Sequence, residues 1–301
     1  MKTPVIMAAL FGLAALSTPA LASKESPLLT DQVRGVYALP KEAKHKYIYD
    51  ALKKRRILEE LRLLLSPFRL PRQLILRLKG CDGKIDASYE DGVVNFCYEY
   101  VEYLQQHAPR ISTPGGLTPA DAIFSATFDT FLHEVGHAVF DMLEVPVFGR
   151  EEDAADYFSA YILLQFAPDD ARRFIQGVAF IYASEAKVTL DKVPEIKQFA
   201  DEHGLPAQRY FNVLCIAYGS HSKLYEKAIT RGELPKERAA GCDEEYKMLQ
   251  RAFRKLIQPD VDQDLWPKAG ARVRIKWDEL IPPTAGRDPL PIGTTTIVIR
   301  H

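Results

Sequence analysis

Several absences narrow the possibilities before any motif is considered. The formal charges nearly cancel over 301 residues, leaving −1, so no excess of either sign points to nucleic acid or to an anionic membrane. No stretch beyond the first 22 positions is apolar enough to be a transmembrane helix, so stable membrane insertion is not expected. There is no internal repeat and no low-complexity linker, which argues against a repeat array or a string of independent domains. Cysteine is scarce, at four residues, and none sits in a C-x-x-C pair, which leaves a cysteine-based zinc site with little support. What remains is an ordinary globular composition, 47% hydrophobic and 26% charged, with enough chain for a sizeable core. The one cationic run, KKRR at Lys53–Arg56, reads as the solvated face of an amphipathic helix.

The N-terminus carries an export pattern. Lys2 gives a positive start, Val5 to Leu16 is an apolar run, and STPALA places Ala20 and Ala22 as an A-x-A cleavage site. A run of about a dozen residues is too short to span a bilayer comfortably. A retained hydrophobic helix is the competing reading. Removal of residues 1–22 leaves 23–301 as a single expected catalytic domain, periplasmic or secreted. No cysteine follows the apolar run, so a lipid anchor is not expected. The even cysteine number fits an oxidising compartment. Cys81 with Cys97 and Cys215 with Cys242 are the favoured disulfides, because each pair lies within one local segment. Each closed loop would contribute about 3 kcal/mol in the chain-entropy model.

Along the chain, Ser23–Pro40 looks irregular and Lys41–Leu65 has helical spacing. Gln73–Leu78, Lys84–Ser88 and VVNF read as strands separated by Gly-rich turns, and Tyr98–His107 as a helix. A long helix capped by Thr118 or Asp121 runs to about Leu143. Further helices are expected over Glu151–Phe166, Asp170–Ala186, Ala207–Ala217 and Lys236–Ile257, with strand-like ARVRIKW and TTTIVIR in the tail. The expected class is α+β, a small N-terminal sheet before a mostly helical body that carries the active-site helix.

The chemistry concentrates in FLHEVGHAVF, Phe131–Phe140. Residues four apart share one face of a helix, so His133 and His137 point at a common place. Glu134 is rotated by about 100° and can reach a water on a shared metal ion, the logic of H-E-x-x-H. The bare pattern arises by chance in about one chain of this length in a hundred, so a third ligand is needed to support it. Six residues after His137 stands Leu143, which excludes the arrangement with a third histidine at that position. The remaining arrangement takes an acid from the next helix. EVPVFG supplies a reversal, and Glu152 and Asp156 in REEDAADYFSAYILL share a face. Glu152 is then the third ligand, with Glu151 and Asp153 as alternatives, and Asp156 accepts a ligand histidine's N–H. First-turn acids favoured by the helix dipole account for one or two of these residues without any metal.

HEVGH followed by EDAAD resembles the gluzincin metallopeptidases, whose third ligand lies in an E-x-x-[AS]-D segment. The resemblance maps His133, His137 and Glu152 to zinc ligands, Glu134 to the general base and Asp156 to the group behind a ligand, on a zincin-like fold. A closer resemblance, covering most of the mature chain, is to an uncharacterised family of exported bacterial metallopeptidases. It rests on CYEY, HEVGHAVFDMLEVPVFGREEDAAD, QRYFNVLC, YGS and ERAAGC. Membership implies one Zn²⁺ per chain and a peptide or protein substrate. His203, Tyr218 and His221 are candidate oxyanion donors, while His45, His107 and His301 are expected at the surface. The competing readings are a non-catalytic zinc-binding protein that keeps the site and an interaction protein without metal.

Overall fold

Alternation in LILRLK sets the first layer. Leu74, Leu76 and Leu78 are buried on one face of a strand while the residues between them are partly exposed. In the computed structural model, which describes residues 32–110, 112–113, 115–190, 196–273, 275 and 277, this strand lies inside a four-stranded sheet. The strands are β1 (Val33–Tyr37), β2 (Leu74–Lys79), β3 (Ala87–Glu90) and β4 (Val93–Cys97), in the order β1-β2-β4-β3. β1, β2 and β4 run parallel, and β3 pairs antiparallel with β4 as an edge strand. The expected α+β class holds, with a small sheet preceding a mostly helical body.

β1 falls in the stretch read as irregular, and its pattern VRGVY has too little alternation to announce a strand. The expected helix over 41–65 is two helices, α1 (Lys46–Arg55) and α2 (Ile57–Leu65), broken where Arg56 adopts a left-handed conformation at φ 59°. The Tyr37 hydroxyl accepts the freed N–H of Leu58. Arg55 of the KKRR run is buried over the Phe124 ring, a departure from the expected solvated face. His45 is also buried, against expectation, packed against Tyr98, while His107 is half-buried with Nδ1 at Tyr103's carbonyl.

Helix α3 (Tyr98–His107) leads to α4 (Pro119–Met142), which opens with a capping box between Thr118 and Asp121. Nearly every residue of α4 from Asp121 onward is buried, as expected of a helix packed on all sides. Phe131 stacks on Phe96 of β4 at 4.5 Å, and Tyr89 of β3 donates to Asp141, so α4 lies against the strands that end the sheet. α5 (Glu151–Leu163) returns along α4, followed by α6 (Pro168–Leu190), α7 (Pro206–Ser220), α8 (Glu226–Thr230), α9 (Lys236–Ala239) and α10 (Cys242–Leu256). The single helix expected over 236–257 is split at Ala240–Gly241. Of ARVRIKW, Ala271 and Arg272 close the short helix Ala269–Arg272, and Arg274 and Lys276 lie outside the described residues.

Both expected disulfides are present. Cys81–Cys97 ties the turn after β2 to the end of β4, and Cys215–Cys242 ties α7 to the start of α10. Among the described residues no helix is long and apolar enough to cross a membrane. The expected leader at 1–22, the TTTIVIR run and His301 lie outside the described residues.

Candidate metal centre

The close approach of α4 and α5 depends on one glycine. A Cβ at Gly136 would stand 3.2 Å from the Ala155 Cα and 3.3 Å from the Phe158 ring. Its absence lets the backbones approach, so the first turn of α5 comes within reach of both histidines. The reversal between the helices uses left-handed conformations at Glu144 and Gly149. Glu151, Glu152 and Asp153 occupy the first turn of α5, where the helix dipole favours acids.

His133 Nε2 lies 2.9 Å from Glu152 Oε2 and 3.3 Å from His137 Nε2, and His137 Nε2 lies 3.6 Å from Glu152 Oε1. Each imidazole is held from behind by an acid: His133 Nδ1 at 2.8 Å from Asp156, and His137 Nδ1 at 2.8 Å from Glu151. An acceptor on each Nδ1 places the proton there and turns each Nε2 lone pair inward. Two lone pairs and a carboxylate then face one point, inside a site where His133, His137 and Glu152 are each 2% exposed. Only a cation or extra protons relieve that arrangement. Without a cation, burial opposes a charge on His133, but the bonds to Asp156 and Glu152 prevail and push it up to about 10. Glu152 is held well below the usual carboxylate range, with the imidazole contacts outweighing its burial.

Glu134 is 1% exposed, and among the described residues neither of its carboxylate oxygens has a hydrogen-bond partner. Burial pushes its carboxyl up to about 7. An unsatisfied buried carboxylate costs several kcal/mol and requires a reason. A metal-bound water beside the two histidines is such a reason, so the residues fit a metal ion.

The structure also brings His203 to the cluster. Its Nε2 lies 2.5 Å from Glu152 Oε2, and its ring stacks on His133 at 5.7 Å. His133, Glu152 and His203 each offer a ligand atom within 4.8 Å of the others. Tyr218 stands apart, nine residues beyond Arg209 in α7, roughly 13 Å further along the helix axis. His221 caps α7 at the surface.

Two supports escaped the sequence reading. Arg209 makes a bidentate pair with Asp156, at 2.7 and 2.6 Å, while stacked over the Tyr182 ring. Burial opposes Asp156's charge, but Arg209 holds the carboxyl well below its usual range. Glu151, weighed only as an alternative ligand, backs His137 instead. The signal for Arg209 was present in QRYFNVLC, although nothing local linked that helix to EDAAD. Elsewhere, Glu42, His45 and Glu99 also cluster, but Lys44 already pairs with Glu42, and Glu99 accepts the backbone N–H groups of Cys81 and Gly83.

Two histidines and an acid from an adjacent helix, converging inside an α+β chain, define a metal-binding class. A family model, DUF4344, putative metallopeptidase, matches residues 37–257, and the chain belongs to that family. We found no match to this chain among curated proteins or among solved structures. The family implies a metal ion and a peptide or protein substrate.

Proposed function

We propose that this chain is an exported zinc peptidase. Its metal is held by Nε2 of His133, Nε2 of His137 and the Glu152 carboxylate, with Glu134 as general base. The observation that carries this reading is the buried, unpartnered Glu134 carboxylate one residue along the helix from the convergent donors. Zinc bound there supplies a Lewis acid and an acidified water. A buried carboxylate beside that water is placed to take a proton from it and return it to a leaving amine. Asp156, kept ionised by Arg209, fixes the His133 tautomer, and Glu151 does the same for His137.

A cleft of about 700 Å³ opens beside His137 between β3, α4 and the α4–α5 reversal. Phe140, Val145 and Val147 give it an apolar floor. Glu90, Asp91, Asp141 and Glu151 outnumber Arg72, which already pairs with Asp91 and Asp141. We read this as the substrate groove, favouring peptides that carry a basic side chain beside an apolar one. Two disulfides support export, since such bonds persist in oxidising compartments, and the A-x-A leader agrees. Glu134→Gln tests the function. Zinc should remain at one per chain while peptide hydrolysis falls by about 10²–10⁴-fold. Unchanged hydrolysis would remove Glu134 from the mechanism, and a zinc-free wild-type chain would remove the metal.

A further inference from the structure

We propose that His203 is a fourth protein ligand of the metal, one that closes the centre and must leave before substrate binds. The inference rests on the zinc-peptidase reading and goes beyond it, because that reading needs only three ligands and an open position.

Three observations about His203 agree. First, its Nε2 is 2.5 Å from Glu152 Oε2, the oxygen that His133 Nε2 also faces at 2.9 Å, so the two imidazoles and the carboxylate present their donor atoms to one place. Second, all three imidazoles turn Nε2 toward Glu152. The acid behind His203, Asp201, is held by the backbone N–H of His203 at 2.9 Å and stands 3.5 Å from Nδ1, against 2.8 Å for the acids behind His133 and His137. Third, the His203 ring is nearly parallel to that of His133, at 25°.

The supporting structure differs in kind. His133 and His137 lie in the middle of α4 and Glu152 in the first turn of α5, all packed on neighbouring helices. His203 sits on the non-helical approach to α7, preceded by Ile196 and Phe199, which are 88% and 60% exposed. A ligand on such a segment is the one that can be exchanged. With it bound, two helices and one loop would supply four donors and leave no site for a water. With it displaced, the three helix-borne donors would still hold the ion, and Glu134 would stand beside the side that His203 had covered. His203 then controls access and does not act as an oxyanion donor.

X-ray absorption on the zinc-loaded full-length chain decides the matter, since it counts imidazoles around the metal. Three are expected in the wild type and two in His203→Ala, and Zn²⁺ affinity in chelator competition should fall by about 100-fold or more, beyond the usual effect of an outer partner. Peptide hydrolysis by zinc-loaded His203→Ala should rise, whereas an oxyanion donor would lose about 10²-fold or more. Two imidazoles in the wild type overturn the proposal even if hydrolysis is robust, and a falling rate in a two-imidazole variant overturns the gating role. Three imidazoles without hydrolysis by either protein uphold the ligand and sink the peptidase reading instead. The wild-type count stands on its own if the variant folds poorly.

Discussion

The two halves of the metal centre are built differently. One half is helix on helix: α4 and α5 meet at Gly136, and every side chain they contribute is fixed by a packed helix. The other half is a loop and the start of helix α7, contributing His203, Asp201 and Arg209. The first half sets positions through backbone packing, which tolerates almost no change of volume. The second sets them through charge pairs, which tolerate volume and fail when a partner is lost. Each prediction below perturbs one half and asks whether the other responds.

The largest effect is expected where the halves join. Arg209→Met keeps much of the volume and removes the bidentate cation, leaving the buried Asp156 with the His133 imidazole as its remaining partner in the cluster. Loss of one member of a buried pair typically costs about 3–5 kcal/mol. Equilibrium unfolding in denaturant should show that loss in the metal-free protein. Zinc affinity should fall as well, because Asp156 no longer remains a charged acceptor for His133 Nδ1. A change under 1 kcal/mol would mean the two halves are energetically separate.

The next effect lies inside the helical half and depends on pH. Glu134 has its carboxyl raised from 4.5 to about 7 by burial. A raised acid contributes no penalty below its unfolded value, and the penalty grows as pH rises through the folded value. Above pH 7 it reaches about 3 kcal/mol in the metal-free protein. Glu134→Gln should therefore be more stable than wild type at pH 8 and equal to it near pH 4. The same measurement at both pH values checks this, and equal stability at pH 8 would mean the carboxylate is solvated in solution.

This contrast also explains which parts of the site were legible in the sequence. His133, Glu134, His137, Glu152 and Asp156 follow helical periodicity, and the reversal between them carries Pro146 and Gly149, so spacing alone brings them together. β2, β4, α3 and the Thr118 cap were legible for the same reason, since period and capping are local. His203 was visible only as a candidate of another kind, since 66 residues separate it from His137 and no period relates them. Arg209 was hidden because a bidentate pair depends on how α7 packs on α5, which is tertiary information. The break at Arg56 and the strand β1 were missed because both are settled by partners: Tyr37 binds the freed amide, and β2 supplies the ladder.

The smallest effects come from a pair of glycines, one in each half. Gly136→Ala places a Cβ against the Ala155 backbone, which cannot move without shifting α5 and Glu152. Overpacking of this kind costs about 1–3 kcal/mol, partly offset by the roughly 1 kcal/mol that alanine gains over glycine in a helix. The net loss in stability should be about 1 kcal/mol, with a larger proportional loss of zinc affinity, because the strain falls on the ligand geometry. Gly204→Ala sits beside His203, but its Cβ would meet the nearest atom, Asp153 Oδ1, at 3.4 Å, an ordinary contact. Stability should change by less than about 0.5 kcal/mol, and zinc affinity should be unaltered. Thermal unfolding and chelator competition on the two variants, run side by side, measure the difference directly. If Gly204→Ala weakened zinc as much as Gly136→Ala, the loop would be as tightly packed as the helices, and a ligand carried on it could not be exchanged.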